Sequence, residues 1–123
     1  MERTPEWTIV FYVEEIGRRP VNEFLGNLDS KTQARFIDSI ERLRVRNVHA
    51  REPLVRHLQG KLWELREESG TNSYRIIYFF FAAREIVLLH GFGKKTQRTP
   101  KREIETAETR MQRFILRYGR GNE

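Results

Sequence analysis

The sequence predicts a small α+β domain in the order β-α-α-β-β-β-α, a mainly antiparallel sheet packed against a helical hairpin and a C-terminal helix. Three observations predict it. Runs of β-branched and aromatic residues occur at Trp7–Val13 and, three in succession, between Leu62 and Phe92. Two segments of helical apolar periodicity lie between the first run and the others, and a third follows the last. The chain has 123 residues, enough for one core and too few for two, so residues 1–123 are read as a single domain.

Taken in order, the Trp7–Val13 strand is bounded by Pro5 and Glu14-Glu15, and Gly17-Arg18-Arg19-Pro20 breaks it. Pro20 suits the first turn of a helix, where the amide it lacks would have no partner, and Val21, Phe24, Leu25 and Leu28 follow at i, i+3, i+4 and i+7. Asp29 or Ser30 can cap a second helix, Ser30 to Asn47. Its stripe is Phe36, Ile37, Ile40 and Leu43, with Lys31, Arg35, Asp38, Arg42 and Arg46 mostly outside it. Residues 48–61, with Pro53 and Gly60, read as an irregular connection. Leu62–Arg66, Tyr74–Phe81 and Ile86–Phe92 then form a meander joined by Glu67–Ser73 and Ala82–Arg84. Thr99 offers an N-cap and Pro100 a first helical position for a closing helix carrying Ile104, Ala107, Met111, Phe114, Ile115 and Tyr118. Helices are expected on one face of the sheet, leaving the other partly open for function.

The net charge of +6 and pI near 10.1 favour an anionic partner. The excess is local: Lys94 to Arg120 holds nine bases against three acids, while the rest of the chain balances at 14 each. The absence of cysteine excludes a disulfide scaffold, a thiolate metal site and a cysteine nucleophile. The longest apolar runs, Ile76–Ala83 and Ile86–Leu89, are too short to span a bilayer, and a cytoplasmic location without membrane contact is expected. His49 and His57 lack metal-site spacing and the acids are scattered among bases, so no metal is expected. Motifs for acyl transfer, nucleotide hydrolysis and hydride transfer are missing.

Strand alternation puts Leu62, Glu64 and Arg66 on one face, Trp63 and Leu65 on the other. If Arg66 lies opposite Arg75, both guanidinium groups emerge together, and like charges directly opposite destabilise a sheet unless something negative compensates. Glu64, Glu67 and Glu68 could do so in a surface network; an RNA phosphate is the alternative. The last strand ends in His90-Gly91-Phe92-Gly93-Lys94-Lys95, where glycines permit close backbone approach and two lysines follow. His90 reads either as an acid–base group or as a hydrogen-bonded core residue. Phe79-Phe80-Phe81 reads as core.

These residues resemble the RelE/HigB-like toxins of bacterial type II toxin–antitoxin systems, particularly their phage-derived branch. The resemblance spans nearly the whole chain and rests on Leu62-Trp63-Glu64-Leu65-Arg66, on Tyr74-Arg75-Ile76, and on Leu89 to Gln97 with Thr99-Pro100 opening the last helix. It implies a RelE-like fold and an endoribonuclease needing neither metal nor cofactor. Such an enzyme cuts messenger RNA, usually on the ribosome, by attack of a ribose 2′-oxygen on the adjacent phosphate. A cognate antitoxin, expected to be a helix-turn-helix protein, is implied as partner. By position, Arg66 and Arg75 match strand arginines around the scissile phosphate, and Lys94 and Lys95 a basic cluster. Arg66, Arg75, Lys94 and His90 are the expected catalytic groups, with Tyr78 and Glu52 as further candidates for proton transfer. Lys61, Lys95, Arg98 and Lys101 are expected to hold flanking phosphates or ribosomal RNA. Two other readings use the same fold or charge: a ParE-like gyrase poison and a non-enzymatic nucleic-acid-binding module.

Overall fold

The computed structural model describes residues 6–46, 55–82, 84–94 and 98–119. The elements are β1 (Thr8–Phe11), α1 (Pro20–Gly26), α2 (Ser30–Arg46), β2 (Val55–Gln59), β3 (Leu62–Ser69), β4 (Asn72–Phe81), β5 (Glu85–Lys94) and α3 (Lys101–Tyr118). The five strands form one sheet in the order β1-β5-β4-β3-β2, with β1 parallel to β5 and the remaining pairs antiparallel. The α+β expectation and the meander hold.

Local chemistry starts and ends the elements much as expected. Pro20 opens α1, whose Val21 and Leu25 are buried one turn apart. Asp29 caps α2: its carboxylate accepts the Thr32 amide at 3.1 Å and the Thr32 hydroxyl at 2.7 Å. Phe36, Ile40 and Leu43 are buried, but Ile37 is 56% exposed. Each helical residue turns about 100° from the last, so Ile37 falls outside a stripe centred on the other three.

Three expectations are corrected. Val55–Gln59, inside the segment read as irregular, is a strand paired with β3, and Gly60-Lys61 makes the turn with Gly60 at φ +51°. The expected Glu67–Ser73 connection shrinks to Gly70-Thr71, with Gly70 at φ +62°, because Glu67 and Glu68 continue the ladder opposite Tyr74 and Ser73. The helices do not share one face. Val55, Leu65, Ile76, Tyr78, Ile86 and Leu88 pack with α1 and α2, while Leu62, Ile77, Phe79, Val87 and Leu89 pack with Ala107, Met111 and Phe114 of α3 on the other. Burial on both sides is why Ile76–Phe81 is apolar at every position.

Two details of β5 position the site. A register shift between Ile77 and Tyr78 of β4 sets Ile77 opposite His90 and Tyr78 opposite Leu88. Past it, Gly91 faces the helical hairpin, where a Cβ would overlap the Phe24 ring. Among the described residues, no helix is long and apolar enough to cross a membrane.

Candidate functional site

The α3 face of the sheet extends past the first turn of that helix, and the cations gather there. Arg66 is the cross-strand partner of Arg75, and Arg75 in turn faces Phe92 of β5. One row on, Ser73 faces both Glu68 and Lys94. In the row behind, Glu64 pairs with Arg56 of β2 and with Ile77. Cross-strand partners share a face, so Arg56, Glu64, Arg66, Glu68, Arg75 and Lys94 lie on one side of a rigid ladder.

Burial of the cluster departs from the sequence reading, which placed the cations on an open surface. Arg75 is 1% exposed, Lys94 7% and Glu64 not at all, while Arg66 is half-buried. Arg75 Nε lies 3.4 Å from Glu64 Oε1, and its Nη1 lies 3.8 Å from Glu68 Oε2. Nη1 also donates to the Ser73 hydroxyl and, at 3.1 Å, to the Tyr74 carbonyl. The other Glu64 oxygen accepts the Thr99 hydroxyl. Thr99 therefore does not cap α3, where no side chain fills that role; its hydroxyl is spent on a carboxylate 35 residues earlier.

The network leaves positive charge in excess. Burial, and then the neighbouring Arg75, push the Lys94 ammonium down to about 8; Glu64 opposes the shift while Arg66 and Arg56 add to it. Burial likewise lowers Arg75 below its ordinary value, against the pull of Glu64 and Glu68. The buried Arg66 Nε, Arg75 Nε and Glu64 Oε1 have no hydrogen-bond partner among the described residues, so the Arg75–Glu64 approach is a charge contact alone. Glu67, weighed as a neutralising acid, is on the opposite face and accepts the Ser39 hydroxyl. A buried cluster richer in cations than in carboxylates is suited to an anion.

The remaining sequence candidates separate. His90 shares the face but stands four residues back along β5 from Lys94, about 13 Å at strand rise, stacked on Phe92 with ring centroids 5.3 Å apart. Its Nε2 meets Glu103 at 2.6 Å and its Nδ1 lies 3.2 Å from Arg110, so the structure does not bring it to the cluster. Burial holds the His90 imidazole below its ordinary value despite Glu103. Tyr78 is buried on the opposite face. Lys61, in the β2–β3 turn, Arg98 and Lys101, at the start of α3, are exposed. Lys95 and Glu52 lie outside the described residues.

Sequence reasoning missed Arg56, Ser73 and Thr99 as parts of the cluster; Glu64 and Glu68 were weighed as its neutralising acids, and Glu64 proves to be buried rather than on the surface. A signal for Arg56 existed: Gly60-Lys61 between two strand-like runs marks a two-residue hairpin. A cavity of about 580 Å³ lies elsewhere, between β1 and the last turns of α3, and takes in Arg113 and Arg117 but no residue of the cluster.

The sequence model of a family described as phage-derived Gp49-like proteins (DUF891) matches residues 23–112. A protein named "probable endoribonuclease HigB1", from two strains of Mycobacterium tuberculosis, is 29% identical to this chain over 111 residues, covering 89% of this chain and 86% of the relative.

Proposed function

Because the chain belongs to the phage-derived Gp49-like family, the RelE/HigB-like group its motifs resemble, we propose that it is the toxin of a toxin–antitoxin pair and a metal-independent endoribonuclease acting on messenger RNA. The observation that carries the reading is Arg56, Arg66, Arg75 and Lys94 gathered on one sheet face against Glu64 and Glu68. The name of the M. tuberculosis relative supports the same chemistry.

In the proposed reaction the 2′-oxygen loses its proton and attacks the neighbouring phosphorus. The bond to the 5′-oxygen breaks, that oxygen gains a proton, and a cyclic phosphate remains. Negative charge grows on the phosphoryl oxygens and the leaving oxygen, which is where preorganised cations contribute most. Arg75 forms the floor of the site, and Arg66 and Lys94 flank the phosphate. Lys61, Lys95, Arg98 and Lys101 bind flanking phosphates of the message or ribosomal RNA. The ribosome presents the substrate, and a helix-turn-helix antitoxin neutralises the enzyme, both in the cytoplasm.

Inducible expression of wild type and Arg75→Ala, with growth and RNA 5′ ends followed together, tests the reading. Wild type should arrest growth and generate new 5′ ends; the variant should do neither. Arrest and cleavage that survive Arg75→Ala overturn the assignment, and arrest with intact messages points to gyrase instead.

A further inference from the structure

We propose that Glu64 is the positioning residue of the cation cluster: its buried carboxylate fixes the Arg75 guanidinium beneath the reacting phosphate and, through Thr99, ties the start of α3 to β3. The inference rests on the ribonuclease reading above.

A carboxylate is an unexpected choice at this point. It weakens the positive potential that phosphate chemistry needs, and taking it out of water is unfavourable. Its two oxygens are nevertheless divided between separate elements. Oε1 stands 3.4 Å from Arg75 Nε on β4, and Oε2 accepts the hydroxyl of Thr99, which precedes α3. Nη1 of the same guanidinium donates to Ser73 and the Tyr74 carbonyl, while the Glu64 charge beside Nε, an ion-pair contact and not a hydrogen bond, holds the other side. Displacing a reacting or stabilising group by an ångström can cost about a hundredfold in rate. Glu64 is placed to prevent such a displacement.

Glu64 has a second, separable effect through its charge. The charged groups facing Lys94 from the neighbouring strands are Arg56 on β2, Glu64 and Arg66 on β3, and Arg75 on β4, with Glu68 drawn to Arg75. From α3, Lys101 and Arg102 are exposed, and Glu103 is taken by His90. Among these groups of the described residues, Glu64 favours the protonated form of Lys94, while Arg75, Arg66 and Arg56 oppose it.

Reach and charge can be removed one at a time. Glu64→Asp keeps the charge and withdraws it by one methylene; Glu64→Gln keeps the reach and discards the charge. Thr99→Val deletes only the hydroxyl, as a variant expected to fold if Glu64→Gln does not. Message cleavage would be measured on assembled ribosome–message complexes as a function of pH, with melting temperature recorded for each protein. Glu64→Asp is expected to lose about ten- to a hundredfold in kcat with KM and the shape of the pH profile retained. Glu64→Gln should move the alkaline fall in rate to lower pH by on the order of one unit. Thr99→Val should lose roughly tenfold in kcat. Folded Glu64→Asp and Thr99→Val proteins that cleave at the wild-type rate, beside an inactive Arg75→Ala, overturn the role of Glu64 and leave the ribonuclease reading standing. Cleavage that persists in Arg75→Ala sinks the ribonuclease reading itself.

Discussion

Two arginines on the same sheet face have been given opposite settings. Arg110 of α3 donates to the Leu89 carbonyl at 2.9 Å, approaches His90 Nδ1 at 3.2 Å and Glu14 at 3.3 Å, and lies over the Tyr12 ring. Glu103 holds the other side of His90, so this end of the face is closed by hydrogen bonds to two carboxylates, although Arg18 and Arg113 also lie near Arg110. Arg75 has Glu64 and Glu68, but it also has Arg66, Arg56 and Lys94 around it. Burial lowers both guanidinium groups below their ordinary value. The difference is in the bonding: Arg110 donates to a strand carbonyl and a carboxylate and fastens a helix to a sheet, whereas Arg75 keeps a buried Nε without a hydrogen-bond partner among other cations, a setting that leaves charge for a ligand to satisfy.

The contrast is broken most directly at Arg75. Arg75→Ala should reduce message cleavage by on the order of a hundredfold or more, read by 5′-end mapping and kcat/KM. Next comes Lys94, whose ammonium is pushed by burial down to about 8. Cleavage should fall as pH rises through that value in wild type, and Lys94→Met should remove the inflection together with most of the rate. Smaller effects belong to the exposed cations. Lys61→Ala, Arg98→Ala and Lys101→Ala should each weaken RNA binding a few-fold and make the slope of log affinity against log salt shallower by about one for each phosphate no longer neutralised.

The smallest effect on cleavage is expected at the closed end. His90→Gln should cleave at close to the wild-type rate while losing about 1–2 kcal/mol of stability to denaturant. Its native pKa lies below the ordinary 6.5, so the unfolded chain binds the proton more readily. The His90 contribution to stability is therefore present above about 6.5 and lost as pH falls below it, and His90→Gln should flatten that part of the pH–stability curve. A His90→Gln protein that folds well but cannot cut RNA would show that the two ends work as one site.

The meander and the opposition of Arg66 to Arg75 were legible in the sequence, because alternation and hairpin pairing are local properties. β2 was hidden because its exposure is irregular: only Val55 is buried, and a bulge between His57 and Gln59 breaks the two-residue period. The amphipathic pattern of α3 announced an apolar side without saying which sheet face would receive it, although the unbroken run Ile76–Phe81 already implied cover on both. Glu67 and Glu68 looked like turn residues, yet each joins the ladder because Ser39 and Ser73 meet their carboxylates. Thr99 had the local signature of a helix cap and was claimed by Glu64 instead. Contacts between distant segments leave no such signature, and the cluster is made of them.

Gly91 carries a consequence for how the molecule tolerates change. It is opposite Ile76, one position from the Arg75–Phe92 pair, and it is the point where the Phe24 ring of α1 rests against bare backbone. A methyl group there would act as a wedge, prising the hairpin outward or bowing β5 toward the cations. The spacing of the cation-bearing face is thus tied to the thickness of a single residue seen from the other side, and Gly91→Ala is expected to shift β5 or the hairpin without unfolding the chain.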